Sequence, residues 1–345
     1  MTPGAKPPTL ADVARLAGVS VPAASRALNG GVRGKQSGSP ELRSRVEEAA
    51  RTLGYSVSPA AQTIKGGRAR TVAFIVGDID DFGSATMISG MMHAAEERGI
   101  SVAVRTTRDD SARELDILTQ LRGERHLAVV MATSRTTDPA REASVKEQLR
   151  VLRDHGAKIV VIGDNELGFP TVTVDNRHAA RLLAGGLADA GKRRFAIVSG
   201  PSAEVTALER VGGFVEGLAD RGIEIPDDDI VHTEFSRDGG YRAVDLLGDR
   251  LDDVEVIAAM SDAMAVGVIA RLRELGESRA AGIEVTGFDH VPMLGDVLPG
   301  FSTVEVPLEE FGGAALALVL DEPGARDSVA LTATPILHGE PLVRA

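Results

Sequence analysis

The sequence predicts a small all-α head joined to a large α/β body of two lobes, each lobe built on a doubly wound parallel sheet. Three observations carry this. Residues 1–70 hold 11 Lys and Arg against 4 Asp and Glu, whereas residues 71–345 hold 27 against 46. Residues 9–29 read as two short helices around a tight turn. From residue 72 onward, apolar β-rich runs alternate with amphipathic stretches of helical length. A basic head on an acidic body suggests that the head meets a polyanion and the body does not.

The head can be read element by element. Thr9 is placed to cap a first helix, with Asp12 at the positive end of its dipole. Val13, Leu16 and Ala17 are expected to face inward. Gly18 suits a left-handed turn, Ser20 a second cap, and Pro22 a first helical turn, where its missing N–H is not needed. Asn29-Gly30-Gly31 ends that second helix. A third helix is expected at about 40–53, opened by Ser39-Pro40-Glu41 and carrying Leu42, Val46, Ala49, Ala50 and Leu53 at helical spacing. So short a turn fixes the first two helices at a steep angle and lets the second enter a DNA major groove. The competing reading is a small Ala-rich bundle with no such role.

In the body, strands are expected at 72–76, 102–104, 127–131, 158–162, 171–174, 195–198, 230–235, 256–260 and 283–288. Helical stretches such as 86–98, 113–121, 176–190 and 204–221 separate most of them. Ligands of such sheets bind beyond the carboxyl ends of the strands. The chain has no Cys, which removes disulfide frameworks, thiolate metal sites and Cys nucleophiles. It shows no apolar run long enough for a bilayer and no apolar N-terminal signal segment, so no membrane association and a cytoplasmic location are expected. Two motifs are decoys. Residues 186–192 resemble a phosphate loop, but Arg193 follows where Ser or Thr is needed, and the segment ends a helix instead of opening one. Asp78-x-Asp80-x-x-Gly83 hints at a calcium loop, yet Ser89 stands where the closing Glu belongs. The seven His lack ligand spacing, so neither metal nor cofactor is expected.

Residues 9–29 resemble the N-terminal signature of the LacI/GalR family of bacterial transcription repressors. Leu53-Gly54-Tyr55 and the hinge-like segment Ser-Pro-Ala-Ala-Gln-Thr-Ile-Lys at 58–65 follow at the family's places, and the resemblance runs along the whole chain. It implies a head at 1–57, a hinge helix and linker at 58–70, and a body at 71–345 with the fold of periplasmic sugar-binding proteins. Lobe one would take about 71–165 and 303–321; lobe two would take about 170–300 and 330–345. Carried over position by position, Val21, Pro22 and Arg26 would read base edges. Ser20, Ala23, Ser25 and Asn29 would lie along the phosphates or beside the readers, and Thr9 and Tyr55 belong to the same surface. Ile64, one helical turn after Ala61, would be the apolar wedge in the minor groove. Val21 and Pro22 can touch a thymine methyl, which leaves Arg26 for guanine. The 30–39 loop looks longer than usual and carries Arg33 and Lys35.

The resemblance also implies a ligand set: Phe82, Ser84, Asp164, Arg210, Phe235, Ser261 and Asp289. Carboxylates, a forked guanidinium and an aromatic face would satisfy a sugar's hydroxyls and apolar ring face. The competing reading is that Asp164 and Asp289 cap helices and Arg210 pairs with an acid across the lobes. Together these features imply a non-enzymatic repressor. It would act as a homodimer on a pseudo-palindromic operator, with a sugar-like effector between its lobes. The rivals are a transport solute binder or a sugar-processing enzyme carrying a DNA-binding head.

Overall fold

The computed structural model describes residues 8–28, 39–55, 70–79, 81–276, 282–321 and 328–338. The chain divides into two compact units, Met1–Ala69 and Arg70–Ala345. The expected hinge segment, with Ala61 and Ile64, and the 30–38 loop with Asn29 lie outside the described residues.

In the first unit, α1 (Leu10–Leu16), α2 (Val21–Leu28) and α3 (Pro40–Leu53) enclose a core of Val13, Ala14, Ala24, Ala27, Val46, Ala49 and Ala50. Thr9 and Asp12 form a reciprocal capping box: the Asp12 N–H donates to Thr9 Oγ1 and the Thr9 N–H to the Asp12 carboxylate. Gly18 and Gly54 both take left-handed conformations, φ 65° and 64°. Leu16 departs from expectation. It is 54% exposed, because the inward stripe of α1 is Val13, Ala14 and Ala17.

The second unit alternates strands and helices. The first sheet has the order β11-β5-β4-β3-β1-β2, made of β1 (Thr71–Val76), β2 (Ser101–Thr106), β3 (Ala128–Ala132), β4 (Lys158–Ile162), β5 (Thr171–Val174) and β11 (Ser328–Leu331). The second has the order β7-β6-β8-β9, made of β6 (Phe195–Ser199), β7 (Ile230–His232), β8 (Val256–Ala259) and β9 (Glu284–Thr286). Every pairing in both is parallel. A parallel sheet is covered on both faces, and β1 shows the consequence. Val72, Phe74 and Val76 enter one core, while Ala73 and Ile75 point into another. The helices of this unit are α4 (Phe82–Glu96), α5 (Ser111–Leu121), α6 (Pro139–Asp154), α7 (Asn176–Asp189), α8 (Val205–Ala219), α9 (Arg237–Leu247), α10 (Asp262–Leu275), α11 (Pro292–Val297) and α12 (Leu308–Leu320).

Three lobe boundaries differ from those read in the sequence. The run 171–174, expected to open lobe two, is β5 and pairs with β4 and β11 in the first sheet. The crossing to lobe two therefore comes after Val174. Residues 328–331, which straddle the expected start of lobe two's last segment, also return to the first sheet as β11. Of 303–321, only α12 goes to lobe one, where it packs on α4. β10 (Thr303–Glu305) pairs antiparallel with β12 (Thr334–Ile336) and lies beside the end of β9. An apolar run shows that a strand forms but not which neighbour satisfies its hydrogen bonds, so these memberships could not be read from pattern.

The α4–α12 crossing is close because Gly90 faces Gly312. A Cβ on Gly90 would strike the Glu309 backbone carbonyl, and one on Gly312 would strike the Met91 amide. Gly90→Ala is expected to destabilise the body by about 1–3 kcal/mol, despite alanine's better helix propensity. Gly313→Ala, which meets nothing within 4 Å, should be neutral or slightly stabilising. Urea unfolding of the two variants checks this; equal midpoints would refute the close crossing.

Candidate functional site

The carboxyl ends of both sheets open onto one cleft of about 590 Å³ in the second unit. The turns after β1, β2, β3 and β4 wall it on one side; the turns after β7, β8 and β9, with α8, wall it on the other. All seven residues of the expected ligand set line it: Phe82, Ser84, Asp164, Arg210, Phe235, Ser261 and Asp289. The expected strand 230–235 stops at His232, which leaves Phe235 in the following turn.

Arg210 anchors the second-lobe wall. It is buried, and its guanidinium is held on three sides. Nε donates to Asn176 Oδ1 at 3.0 Å, Nη1 to the Met260 carbonyl at 2.7 Å, and Nη2 to Asp289 Oδ1 at 3.0 Å. Its carbon centre lies 3.9 Å from the centre of the Phe288 ring. A guanidinium so fixed presents its remaining N–H groups in one orientation. Asp289 has φ 116°, and neither it nor Asp164 is the N-cap of a helix; the Arg210 partner is Asp289 on the same lobe. Ser261 does cap α10, accepting from the Met264 N–H at 3.2 Å. Ser84 donates its N–H to Asp81, the cap of α4, at 2.8 Å.

Burial shapes the acids. It pushes Asp289 up to about 6, and the Arg210 charge holds the shift back. Asp262, beneath the cleft, rises to about 7 through burial and then through the Asp289 charge. Glu209 on α8 also rises to about 7, through burial and then through its hydrogen bond and charge contact with Asp164. The contact between these two carboxyls links the two walls of the cleft. A second cross-lobe link is backbone: the Thr137 N–H donates to the Ala203 carbonyl and the Val205 N–H to the Arg135 carbonyl, both at 2.9 Å. Arg135 is fixed in turn by Glu114.

Asp262 gives a pH prediction. Its carboxylate accepts from the Val291 N–H at 2.7 Å and the Thr303 hydroxyl at 2.9 Å. When protonated, it can turn the second bond round and donate to the hydroxyl, and so can an asparagine amide. Folded Asp262 keeps its proton to about pH 7, whereas an unfolded carboxyl loses it near about pH 4. Between these values the folded state binds more protons, so stability falls as pH rises. Thermal melts from pH 5 to pH 8 should show a shallower decline for Asp262→Asn than for the wild type. Identical slopes would remove Asp262 from the titration.

Reading the sequence alone missed Asp109, Asn176 and Glu209. Asp109 and Asn176 follow β2 and β5 at their carboxyl ends, so the strand-end rule contained the signal for both. Glu209 has no such signal, since its role depends on Asp164 across the cleft. Among the described residues, no group of His, Asp and Glu is placed to hold a metal ion, and no helix is long and apolar enough to cross a membrane.

In the head, Val21, Pro22 and Arg26 lie on the exposed face of α2, while Ala24 and Ala27 fill the core. Ala23 and Ser25 are half-buried, and exposed Ser20 accepts from the Ala23 N–H. The Thr9 hydroxyl is occupied by Asp12, and Tyr55 packs against the head's core.

A helix-turn-helix head and a two-lobed body with a polar cleft define a ligand-responsive DNA-binding regulator. The chain belongs to the LacI family. The family pattern for LacI-type bacterial regulatory proteins matches residues 9–58, and that for periplasmic binding proteins and the sugar-binding domain of the LacI family matches 69–315. It is 30% identical over 324 residues to the transcriptional regulator CelR of Thermobifida fusca, covering 91% of each chain. A solved CelR–cellobiose complex superposes with a TM-score of 0.68 at 27% identity, covering 96% of this chain and 99% of that one. The lac repressor dimer bound to operator and the anti-inducer ONPF has the same fold, with a TM-score of 0.81 at 20% identity over 98% and 100% of the chains. The protein is therefore a transcriptional regulator and not an enzyme.

Proposed function

We propose that this chain is a cytoplasmic, homodimeric repressor whose operator affinity is set by a sugar or sugar derivative held in the cleft. The observation that carries the reading is the cleft itself. It has the volume of a small-molecule site, a fixed Arg210, carboxylates on both walls and the rings of Phe82 and Phe235. The CelR–cellobiose complex supports a sugar as the class of ligand.

Arg210, Asp289 and Asp164 hydrogen-bond the effector, with Phe235 against its ring and Phe82, Ser84 and Ser261 at the margins. Val21, Pro22 and Arg26 read the major groove. Ser20, Ala23, Ser25 and Asn29 follow the phosphates, Thr9 and Tyr55 support that surface, and Ala61 and Ile64 enter the minor groove. Two-fold symmetry of the protein requires a pseudo-palindromic operator. The effector acts through its different affinity for two arrangements of the lobes, and it releases the operator by loosening the hinge segments.

Footprinting on fragments of the organism's own genome, at fixed salt, tests this. A protected palindrome that disappears when a sugar saturates the cleft is the expected result. Binding that is blind to sequence would overturn the reading of the head. A footprint that no sugar alters would overturn the reading of the cleft.

A further inference from the structure

We propose that the cleft admits an uncharged or basic polyol and rejects the phosphate ester of the same sugar, with Asp81 and Asp109 setting that discrimination. The inference rests on the reading of the cleft as the effector site.

Three features carry it. First, each guanidinium that lines the cleft already faces a carboxylate: Arg210 faces Asp289, Arg237 faces Asp238 at 2.9 Å, and Arg135 faces Glu114. The nearby Arg141 binds the same Glu114 at 3.2 Å. Phosphate is ordinarily gripped by a guanidinium fork, and here the charge of each guanidinium is already offset by an acid of the protein. Second, helix N-termini are the other usual seat of a phosphate. The two that bring Asp81 and Asp238 to the cleft are already capped, and the start of α8, which brings Thr206 there without a side-chain cap, has the acidic Glu204 as its N-cap residue. Asp81 accepts the Ser84 N–H at the start of α4, and Ser236 accepts the Gly239 N–H at the start of α9, with Asp238 in that first turn. Third, the lining places Asp78, Asp81 and Asp109 together on the lobe-one wall, with Asp164 beyond them.

Gly77 makes the approach of Asp109 possible, because any side chain at that position would collide with the Asp109 carboxylate. Burial, followed by the charges of Asp78 and Asp81, pushes the Asp109 carboxyl upward; Arg141 opposes this only in part. An arriving phosphate would add two negative charges to acids that already repel one another. Sugar hydroxyls, by contrast, donate to those oxygens.

The test uses the full chain and matched probes: glucose, cellobiose and their 6-phosphates, by titration calorimetry with thermal melting alongside. The wild type should bind one of the free sugars and hold its ester at least about 100-fold more weakly. Asp109→Asn should narrow that gap about tenfold by strengthening the ester. Asparagine tolerates the left-handed backbone of this position, φ 56°, so the substitution adds little strain. A variant that lost both ligands equally would show Asp109 to be structural and would overturn its role. An ester bound as tightly as its sugar would overturn the proposal and leave the sensor reading intact. If none of the four bound or shifted the melting temperature, this proposal would fall, while the wider sugar reading would stand or fall on the footprint.

Discussion

Replacing Arg210 with methionine should destabilise the body by about 3–5 kcal/mol and abolish the response to effector. The large cost does not come from the ion pair's own strength. Removing the guanidinium leaves Asp289 buried without its cation, and leaves the Met260 carbonyl and Asn176 amide without their donor. Asp289 would then hold its proton to a higher pH, because Arg210 is the charge that keeps it near 6. Adding Asp289→Asn to the methionine variant should therefore recover much of the stability, since the uncompensated charge is gone. It should recover none of the effector binding, because the fixed donors are still missing. Urea unfolding measures the first quantity and sugar-dependent operator release the second. A double variant that regained its effector response would show that Arg210 serves the fold alone.

Arg26→Ala should weaken specific operator binding by about 1–3 kcal/mol, roughly tenfold to a hundredfold, with a smaller loss on unrelated DNA. Arg26 is exposed on the same face of α2 as Val21 and Pro22, and it is the residue among the three able to make a bidentate contact with guanine. Arg26→Lys keeps the charge and removes the fork. It should hold non-specific affinity and lose specificity. Fluorescence anisotropy on an operator and a scrambled duplex, at one salt concentration, separates the two effects. Equal losses on both duplexes for Arg26→Ala would mean a phosphate contact and no base reading.

The sequence was most legible where structure is local. Thr9, Asp12, Gly18, Ser20 and Pro22 specify a helix, a turn and a second helix through caps and backbone preferences that involve only near neighbours. Leu16 shows the limit. Hydrophobicity ranks it above Ala14, yet Ala14 lies on the buried stripe with Val13 and Ala17, and Leu16 stays exposed. In the body, strand and helix positions followed from pattern, while the partners of β5 and β11 did not. The seven cleft residues were reached through resemblance to a family. Asp164 and Arg210 stand on different elements, and periodicity alone cannot bring them to one cleft. Asp109 and Asn176 could have been added by asking which residues follow each strand. Glu209 could not, because both its burial and its contact with Asp164 arise only in the folded body.

The position of β11 bears on how the chain acquires its shape. It completes the first sheet along the open edge of β5, yet the chain supplies it only after the whole second sheet has been made. A nascent first lobe emerging from the ribosome thus carries the β5 edge unpaired while lobe two is still being synthesised. Such an edge invites pairing with other chains. The bare edge of β5 is therefore a hazard of biosynthesis that the finished protein no longer presents.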